Sequence, residues 1–325
     1  MKATILDVAK LAGVSPATVS RMINGKAVRK QTKERIEKAI DVLDYYPNVI
    51  ARSFVQKTSY HIGVSVTSTS FTSIDQFYLI FLQGVINIAQ EKGYSVTIVP
   101  SWDRVDELVE MFRKNLFDGI IMTNPVEDLG LYLKLLKYKI PIAVTGKVPD
   151  GLKIPTVDAD SIEGAYLAAN HLLTHGHKRI AYVNGPLNYF VCRDRLAGYK
   201  GALKKADVPY DPNLLVESEF TYEGGYKAVS ELLERKVDFT GICAFNDAMA
   251  CGIIKALKER GYSIPGDIAV VGFDNLPVGT LIEPKLTTVH SSITELGEEA
   301  TKVLFDSLET PNDEKKVIPV ELVVR

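Results

Sequence analysis

The spacing of apolar residues changes once along the chain. Before residue 44, apolar residues recur every three or four positions, which predicts short amphipathic helices. From His61 onwards, short apolar runs alternate with longer amphipathic stretches, which predicts strands separated by helices. Between these parts, Pro47 disfavours helix at the residue before it. We therefore predict a helical head at residues 1–46, a connector at 47–59 and a larger α/β body at 60–325.

The start of the head predicts two short helices around a tight turn. Thr4 and Asp7 match a capping box, and Gly13 suits the left-handed conformation that ends a helix. Ser15 is a favourable N-cap, and Pro16 suits the first position of the second helix. This arrangement predicts a helix-turn-helix, whose second helix can enter a DNA major groove. The alternative interpretation is an ordinary helical hairpin.

A third helix is predicted over residues 32–43, and it closes a three-helix domain. In the connector, Asn48 can cap one or two helical turns that carry Ala51 and Phe54. So short a helix is marginal in isolation, so we expect it to order only against its twin and a DNA minor groove. Phe54 suits a wedge between base steps. The alternative is that Phe54 packs on the body.

The body alternates eleven predicted strands, the last at residues 317–323, with eight predicted helices. Those helices are expected at residues 77–92, 104–115, 128–138, 161–175, 190–206, 222–235, 247–260 and 292–308. Buried strands joined by helical crossovers form parallel sheets covered on both faces. Eleven strands are too many for one open sheet of this size, so we predict two lobes. Ligands of such folds bind beyond the carboxyl ends of the strands, here in the cleft between the lobes.

The charge distribution separates the head from the body. The formal net charge of the chain is only −2, yet residues 1–60 hold 11 Lys and Arg against 5 Asp and Glu. The remaining residues hold 27 against 35. A basic head on an acidic body indicates that the head meets phosphates and the body does not. A chance surface imbalance is the alternative.

Several functional classes are disfavoured. No apolar run is long enough to span a bilayer and nothing resembles a signal peptide, so we expect a cytoplasmic protein without a membrane partner. Cys192, Cys243 and Cys251 lack metal-ligand spacing. The His175-Gly176-His177 segment is typical of a helix end rather than a metal site. The P-loop, G-x-S-x-G, strand-linked G-x-G-x-x-G and H-E-x-x-H motifs are all missing, so we do not predict an enzyme.

Polar and aromatic side chains stand near the ends of the predicted strands. The polar ones are Asp158, Asp160, Arg193, Arg195, Asn246, Asp247, Asp274 and Asn275. The candidate rings are Phe77, Tyr78, Trp102, Tyr189, Phe190 and Phe220. Such groups bind the hydroxyls and C–H faces of a sugar. Asp247 is equally suited to cap the helix that follows, and the Asp158/Asp160 pair alone would suggest a glycosidase.

These motifs together resemble the lactose-repressor (LacI/GalR) family of bacterial transcription regulators, and the resemblance covers essentially the whole chain. The matching segments are residues 4–5, 7–9, 12–15, 18–21 and 24 in the head, 46–48 and 51–53 in the connector, and 176–181, 195–199, 245–247, 264–274 and 286–289 in the body. The resemblance implies a helix-turn-helix head and a two-lobed body like that of periplasmic sugar receptors. It places lobe 1 at about 60–158 plus 292–308, and lobe 2 at about 159–289.

The resemblance also implies a DNA site. Its base-reading residues would be Pro16, Ala17 and Arg21, with Arg21 able to pair bidentately with a guanine. Its phosphate contacts would be Thr4, Ser15, Thr18, Ser20 and Asn24. Ala51 would lie on the groove side of the connector helix, and Phe54 stands where the family usually has an intercalating leucine. Arg29 replaces a common serine, which predicts a weaker cap on the third helix.

For the body, the resemblance implies an effector site between the lobes. The expected effector-binding residues are Phe77, Tyr189, Val191, Arg195, Phe220, Asn246, Asp274 and Ser291. We expect a homodimeric repressor of a carbohydrate-utilisation operon on a near-palindromic operator, without a cofactor and controlled by a mono- or disaccharide. The alternatives are a purine-type corepressor, a phosphoprotein corepressor, and a sugar-binding receptor without a DNA role.

Overall fold

The computed structural model describes residues 3–23, 26–45, 58–66, 76–101, 104–310 and 312–325. The chain divides into two compact units, Met1–Ser59 and Tyr60–Arg325. Most of the predicted connector lies outside the described residues, and so do Asn24, Ala51, Phe54 and Trp102.

The first unit contains α1 (Ile5–Ala12), α2 (Pro16–Ile23) and α3 (Lys30–Leu43). The predicted capping box begins α1, because the Thr4 backbone N–H donates to Asp7 Oδ2 at 2.9 Å and the Asp7 N–H donates to Thr4 Oγ1 at 3.4 Å. Gly13 ends this helix with a φ of 63°, in the left-handed region that glycine adopts without strain. Local sequence therefore determines both ends of α1.

A small shared core holds these three helices together. Its buried members are Val8, Ala9, Ala12, Val19, Ile36 and Ala39. Ser15 Oγ accepts the Thr18 N–H at 3.2 Å, which is the N-cap predicted for α2. Arg29 precedes α3 and makes no side-chain capping hydrogen bond, as its replacement of a serine predicted.

The second unit is built, within the described residues, on two six-stranded sheets. Lobe 1 contains β1 (His61–Ser65), α4 (Phe77–Glu91), β2 (Ser95–Val99), α5 (Val105–Arg113), β3 (Gly119–Met122), α6 (Leu129–Lys137), β4 (Ile142–Thr145), β5 (Thr156–Ala159), α12 (Ile293–Glu309) and β11 (Lys315–Ile318). Lobe 2 contains α7 (Ser161–Thr174), β6 (Ile180–Asn184), α8 (Phe190–Lys205), β7 (Leu215–Glu217), α9 (Tyr222–Glu234), β8 (Gly241–Ala244), α10 (Asp247–Glu259), β9 (Ala269–Asp274), α11 (Val278–Leu281), β10 (Thr287–Ser291) and β12 (Val320–Val323).

The strand orders explain why helices cover both sheets. They are β11-β5-β4-β3-β1-β2 in lobe 1 and β12-β10-β9-β8-β6-β7 in lobe 2, and only β12 runs antiparallel to its neighbour among the described pairs. Parallel neighbours need crossover connections, and the helices supply them. Strands such as β3 and β8 are buried along their whole length, so each sheet is packed on both faces. The carboxyl ends of the parallel strands in both sheets are left to form the site.

The prediction of one strand at residues 317–323 is wrong. Lys315–Ile318 pairs in parallel with β5 of lobe 1, whereas Val320–Val323 pairs antiparallel with β10 of lobe 2. Pro319 lies between them and has no N–H to donate to a ladder, so the strand breaks there and the chain changes lobe. The chain also changes lobe at Asp160 and at Ser292.

The predicted helices of the body begin and end within two residues of the observed ones. Their apolar stripes therefore located them correctly, which is expected where an amphipathic helix packs one face on a sheet. In the part of the chain that the structure describes, no helix combines the length and apolar character needed to cross a membrane.

Candidate functional site

The second helix of the head presents an exposed face. Pro16, Ala17 and Arg21 are exposed, whereas Val19 of the same helix is completely buried in the core. Residues four apart lie above one another on a helix, so Ala17 and Arg21 share one side of α2. The small residues at its N-terminal end leave room for close approach to another surface. This face has the shape and charge of a helix that enters the major groove.

Three of the predicted phosphate contacts, Thr4, Ser15 and Thr18, lie at or near helix N-termini of the head. The Thr4 hydroxyl donates to Asp7 Oδ2 at 2.7 Å, and the Ser15 and Thr18 hydroxyl oxygens lie 2.9 Å apart. Hydrogen bonds from Thr4 hold the pKa of Asp7 below its usual range. Backbone N–H groups at helix N-termini attract anions, so these positions suit phosphate groups. Ser20 is half-buried on the same helix as Arg21.

A cavity lies between the two lobes, beyond the carboxyl ends of their strands. The space between its lining atoms is about 830 Å³, including the part open to solvent. Lobe 1 contributes Phe77, Tyr78, Asn124, Pro125, Thr145, Gly146, Asp158, Ala159 and Leu296. Lobe 2 contributes Ser161, Val191, Arg195, Phe220, Phe245, Asn246, Asp274 and Ser291.

Seven of the eight predicted effector-binding residues line this cavity: Phe77, Val191, Arg195, Phe220, Asn246, Asp274 and Ser291. Tyr189 is not among the lining residues. Its ring packs against the Phe220 ring, with centroids 5.4 Å apart and the planes at 69°. Tyr189 therefore supports a lining residue from behind, at the residue that precedes α8.

Arg195 is the central cation of the cavity. It is buried on α8, and its Nη2 lies 3.6 Å from Asp274 Oδ1. Its Nη1 donates to the Phe245 carbonyl oxygen. The guanidinium carbon lies 3.5 Å from the Phe273 ring centroid and 4.3 Å from that of Phe245, which fixes the plane of the group. Arg195 Nε is buried and has no hydrogen-bond partner within the described residues.

Asp274 occupies an unusual backbone conformation at the end of β9. Its φ is 102° and that of Asn275 is 56°, both in a region that non-glycine residues rarely adopt. The carboxylate of Asp247 stabilises this turn, because it accepts the Leu276 N–H at 2.6 Å and the Thr288 hydroxyl at 2.6 Å. The turn directs Asp274 toward Arg195.

Burial dominates the titration of these two carboxyls. Burial, and then the nearby charge of Asp274, raises the pKa of Asp247 to about 8. Burial also raises the pKa of Asp274, against the opposing effects of Arg195 and of a hydrogen bond from Ser291. Burial therefore disfavours the charged form of both carboxyls. Asp247 has the Leu276 N–H and the Thr288 hydroxyl as partners, and Asp274 has Arg195.

The helix after β8 is capped by Asn246, so the interpretation of Asp247 as its N-cap is wrong. Asn246 Oδ1 accepts the Met249 N–H at 2.8 Å, and its Nδ2 donates to the Phe220 carbonyl oxygen at 3.1 Å. Asp247 is already the first residue of α10, and its carboxylate turns toward the β9 and β10 strand ends. Asn246 thus connects the start of α10 to the backbone of Phe220, whose ring lines the cavity.

Several lining residues were not predicted as effector contacts, notably Asn124, Thr145 and Phe245. Each lies at or just after the end of a strand of a parallel sheet. Asp158 and Tyr78 were noticed as polar and aromatic candidates, and both line the cavity. Burial, followed by the charge of Asp194, raises the pKa of Asp158 to about 7. For Asn124, Thr145, Phe245 and Asp158, the position at or near the end of a strand was the sequence signal that could have identified them.

Other candidates have structural partners instead. Asp160 Oδ1 accepts the Glu163 N–H at 3.0 Å as the N-cap of α7. Arg193 pairs with Glu127 at 2.6 Å and lies over the Phe190 ring. In the described ranges no cluster of three or more His, Cys, Asp and Glu side chains could hold a metal ion.

Comparison with known proteins identifies both units. The description "Bacterial regulatory proteins, lacI family" matches residues 4–48, and a periplasmic binding protein-like domain matches residues 169–325. The transcriptional repressor PurR of Vibrio atlanticus is 33% identical over 332 residues, which cover 99% of this chain and 98% of that protein.

Two solved structures extend the similarity over the full length. A complex of the transcriptional regulator CelR with cellobiose is 31% identical, with a TM-score of 0.77 and 99% of each chain covered. The Lac repressor dimer bound to operator and the anti-inducer ONPF is 27% identical, with a TM-score of 0.87 and coverage of 100% of this chain and 98% of that chain. Such relatives are transcription regulators rather than enzymes. With its exposed helix-turn-helix and its cavity between two lobes, the chain belongs to the LacI family of DNA-binding transcriptional regulators.

Proposed function

We propose that the protein is a homodimeric repressor of a carbohydrate-utilisation operon, and that a mono- or disaccharide in the cavity between the lobes controls its binding to a near-palindromic operator. The observation that carries this proposal is the buried Arg195–Asp274 pair in a cavity that is also lined by the Phe77 and Phe220 rings. No cofactor is part of the proposal.

These groups complement a sugar. Each sugar hydroxyl both donates and accepts, so a carboxylate and a guanidinium side by side can bind neighbouring hydroxyls. Asp274 supplies acceptor oxygens, and the Arg195 guanidinium supplies donors. Aromatic rings in the lining offer apolar contact to the C–H face of a pyranose. The cellobiose complex of a full-length relative supports the same class of ligand.

The head supports the DNA part of the proposal. The exposed face of α2 carries Arg21, and the first sixty residues carry an excess of basic side chains. A two-fold dimer reads a two-fold DNA site, because each head binds one half-site. The Lac repressor was solved as a dimer on its operator, and this chain aligns with all of its own length to that structure.

The second candidate is a purine-type corepressor. Relatives named PurR match nearly the whole of this chain, and an aromatic ring such as Phe220 can also stack on a purine base. A phosphoprotein corepressor is a third candidate, in which case the cavity would not control DNA binding. The sugar and the purine can be distinguished by measuring which of them stabilises the protein.

The test is thermal melting of the full chain against mono- and disaccharides, purine bases and nucleosides, and sugar phosphates. A ligand at a hundred times its Kd should stabilise the protein by about 2.7 kcal/mol. A sugar that stabilises the protein and changes its affinity for operator DNA supports the proposal. Stabilisation by purines alone would favour the purine-type corepressor instead. Stabilisation by neither sugars nor purines would contradict control by both kinds of ligand.

A matched pair of variants locates the binding site. Asp274→Asn removes a carboxylate from the cavity, whereas Asp306→Asn removes one from the exposed face of α12. We expect the first variant to lose the sugar response while its head still binds operator DNA, and the second to behave like the wild type. Equal sugar responses in both variants would contradict the cavity as the effector site.

A further inference from the structure

The cavity contains more negative than positive charge. Its charged lining residues are Asp158, Arg195 and Asp274. Arg195 pairs with Asp274 at 3.6 Å, but Asp158 belongs to no ion pair among the described residues. The nearby cation Lys147 is already paired, with its Nζ 2.7 Å from Asp194 Oδ2. With these groups ionised, the lining carries one uncompensated carboxylate, that of Asp158.

The lobe 1 wall of the cavity contains uncharged polar side chains in addition to Asp158. Asn124 Nδ2 donates one of its two N–H groups to the Tyr78 hydroxyl oxygen at 2.7 Å, which leaves its second N–H and its carbonyl oxygen for a ligand. The Thr145 hydroxyl donates to the Met122 carbonyl oxygen at 3.5 Å and keeps lone pairs for a ligand. The lining residues that the structure describes in lobe 1 include no Lys or Arg. A ligand cation would therefore meet the Asp158 carboxylate here without a competing Lys or Arg in the lobe 1 lining that the structure describes.

The opposite wall, in lobe 2, supplies the donors. Arg195 lines this wall, and two aromatic rings hold its guanidinium in place. Asn246 uses both ends of its amide inside the protein. A ligand that matches both walls has hydroxyl or ring oxygens toward Arg195 and a positively charged donor toward Asp158.

We propose that the effector is an amino sugar, whose ammonium group binds Asp158 and whose hydroxyls bind Arg195 and Asp274. This inference rests on the proposed sugar-binding function and narrows it. An ammonium group has three donors and no acceptor, and its positive charge complements the Asp158 carboxylate. Asp158 is half-buried, and a charge partly removed from water costs free energy without a partner. A sugar phosphate or sugar acid would instead bring a second negative charge beside Asp158.

The titration of Asp158 agrees with this charge balance. Burial raises the pKa of this carboxyl to about 7, and the charge of Asp194 acts in the same direction, while Lys147 and Arg195 oppose them. In the protein without a ligand, the carboxylate form of Asp158 is therefore destabilised. A cationic ligand would stabilise that form.

The experiment is isothermal titration of the full chain with glucosamine and galactosamine, with glucose and galactose as neutral partners, and with N-acetylglucosamine and glucose 6-phosphate. At least one amino sugar should bind about tenfold or more tightly than its neutral parent, since hydrogen bonds to charged groups are each worth about 1.5–3 kcal/mol. The acetylated and phosphorylated sugars should bind more weakly than that amino sugar. Tighter binding of either one would overturn the proposal.

Variants test the role of Asp158 directly. Asp158→Asn keeps the shape of the side chain and should remove the tenfold preference for the amine, measured as the ratio of the Kd values of the neutral and amino sugars for the same variant. Asp150→Asn removes an exposed carboxylate of lobe 1 and should keep the preference. Asp158→Glu retains the charge, so it should retain a preference for the amine and serves if the Asn variant does not fold. Loss of the preference in Asp150→Asn, or its survival in Asp158→Asn, would overturn the proposal.

The outcomes separate this proposal from the broader one. Equal binding of amino and neutral sugars overturns the amino-sugar inference and leaves the sugar-binding function in place. Failure of all these sugars to bind also overturns the amino-sugar inference, and it overturns the sugar-binding function only if the mono- and disaccharides of the melting experiment fail as well, in a chain that still binds operator DNA.

Discussion

The DNA-binding face of the head and the cavity of the body are built in opposite ways. The face of α2 comes from one helix of eight residues, and its predicted base-reading side chains Pro16, Ala17 and Arg21 are exposed. The cavity comes from strand ends and helix starts of two sheets, and its charged residues Arg195 and Asp274 are buried. Substitutions in the first should change DNA recognition without unfolding the protein. Substitutions in the second should change ligand response and stability together.

The largest expected effect is that of Arg195→Ala. Loss of the guanidinium leaves Asp274 buried beside Asp247 without its cation, and removing one member of a buried pair costs about 3–5 kcal/mol. The free energy of unfolding of the body should fall by that amount in urea denaturation. The matched control is Arg193→Ala, whose side chain is 37% exposed and pairs with Glu127 at the surface, for which we expect about 0–1 kcal/mol. Similar decreases in the free energy of unfolding of the two variants would contradict the expected difference between the buried pair and the surface pair.

Arg21→Ala is expected to have the next largest effect, and only on DNA. It should reduce discrimination between operator and non-operator DNA by about 1–3 kcal/mol, because Arg21 is the residue predicted to pair with a guanine. Its thermal stability should stay close to that of the wild type, since the side chain is exposed. Lys33→Ala, on an exposed face of α3, is the control. Unchanged discrimination in Arg21→Ala would contradict the assignment of α2 as the reading helix.

Thr4→Ala should destabilise the start of α1 by about 1 kcal/mol, the usual value of an N-cap. Both hydrogen bonds between the Thr4 hydroxyl and Asp7 are lost in this variant. Amide hydrogen exchange in the first turn of α1 would measure the effect, with Gln31→Ala in α3 as the comparison. Unaltered exchange would show that the capping box adds little to the head.

A pH effect is expected in the body through Asp247. Its raised pKa means that the folded chain retains a proton which the unfolded chain has released above about pH 4. The stability that this proton contributes is therefore lost as the pH rises through about 8. Urea denaturation should give a lower free energy of unfolding at pH 8.5 than at pH 7, and the decrease should be smaller in Asp247→Asn. An increase over this range would contradict the prediction.

Local chemistry allowed much of the architecture to be predicted. Thr4, Asp7, Gly13 and Ser15 mark helix ends by interactions that span two to five residues, so the helix-turn-helix could be predicted without any tertiary contact. The amphipathic stripes of the body located its helices to within two residues for the same reason. Pro319 is also a local signal, because it marks the break between β11 and β12. Nothing local indicates which sheet each of these two strands joins.

The contents of the cavity depend on contacts that are distant in sequence. Asp158 faces Arg195 across the cleft only because β5 and α8 belong to different lobes that close on each other. The role of Asp247 could not be assigned from its neighbours, because its partners Leu276 and Thr288 lie 29 and 41 residues away. Tyr189 packs against Phe220, which lies on another loop of lobe 2, and Phe220 is the one of the two that lines the cavity. Short-range rules set helix ends and apolar stripes, whereas strand order and lobe closure determine which side chains meet in the site.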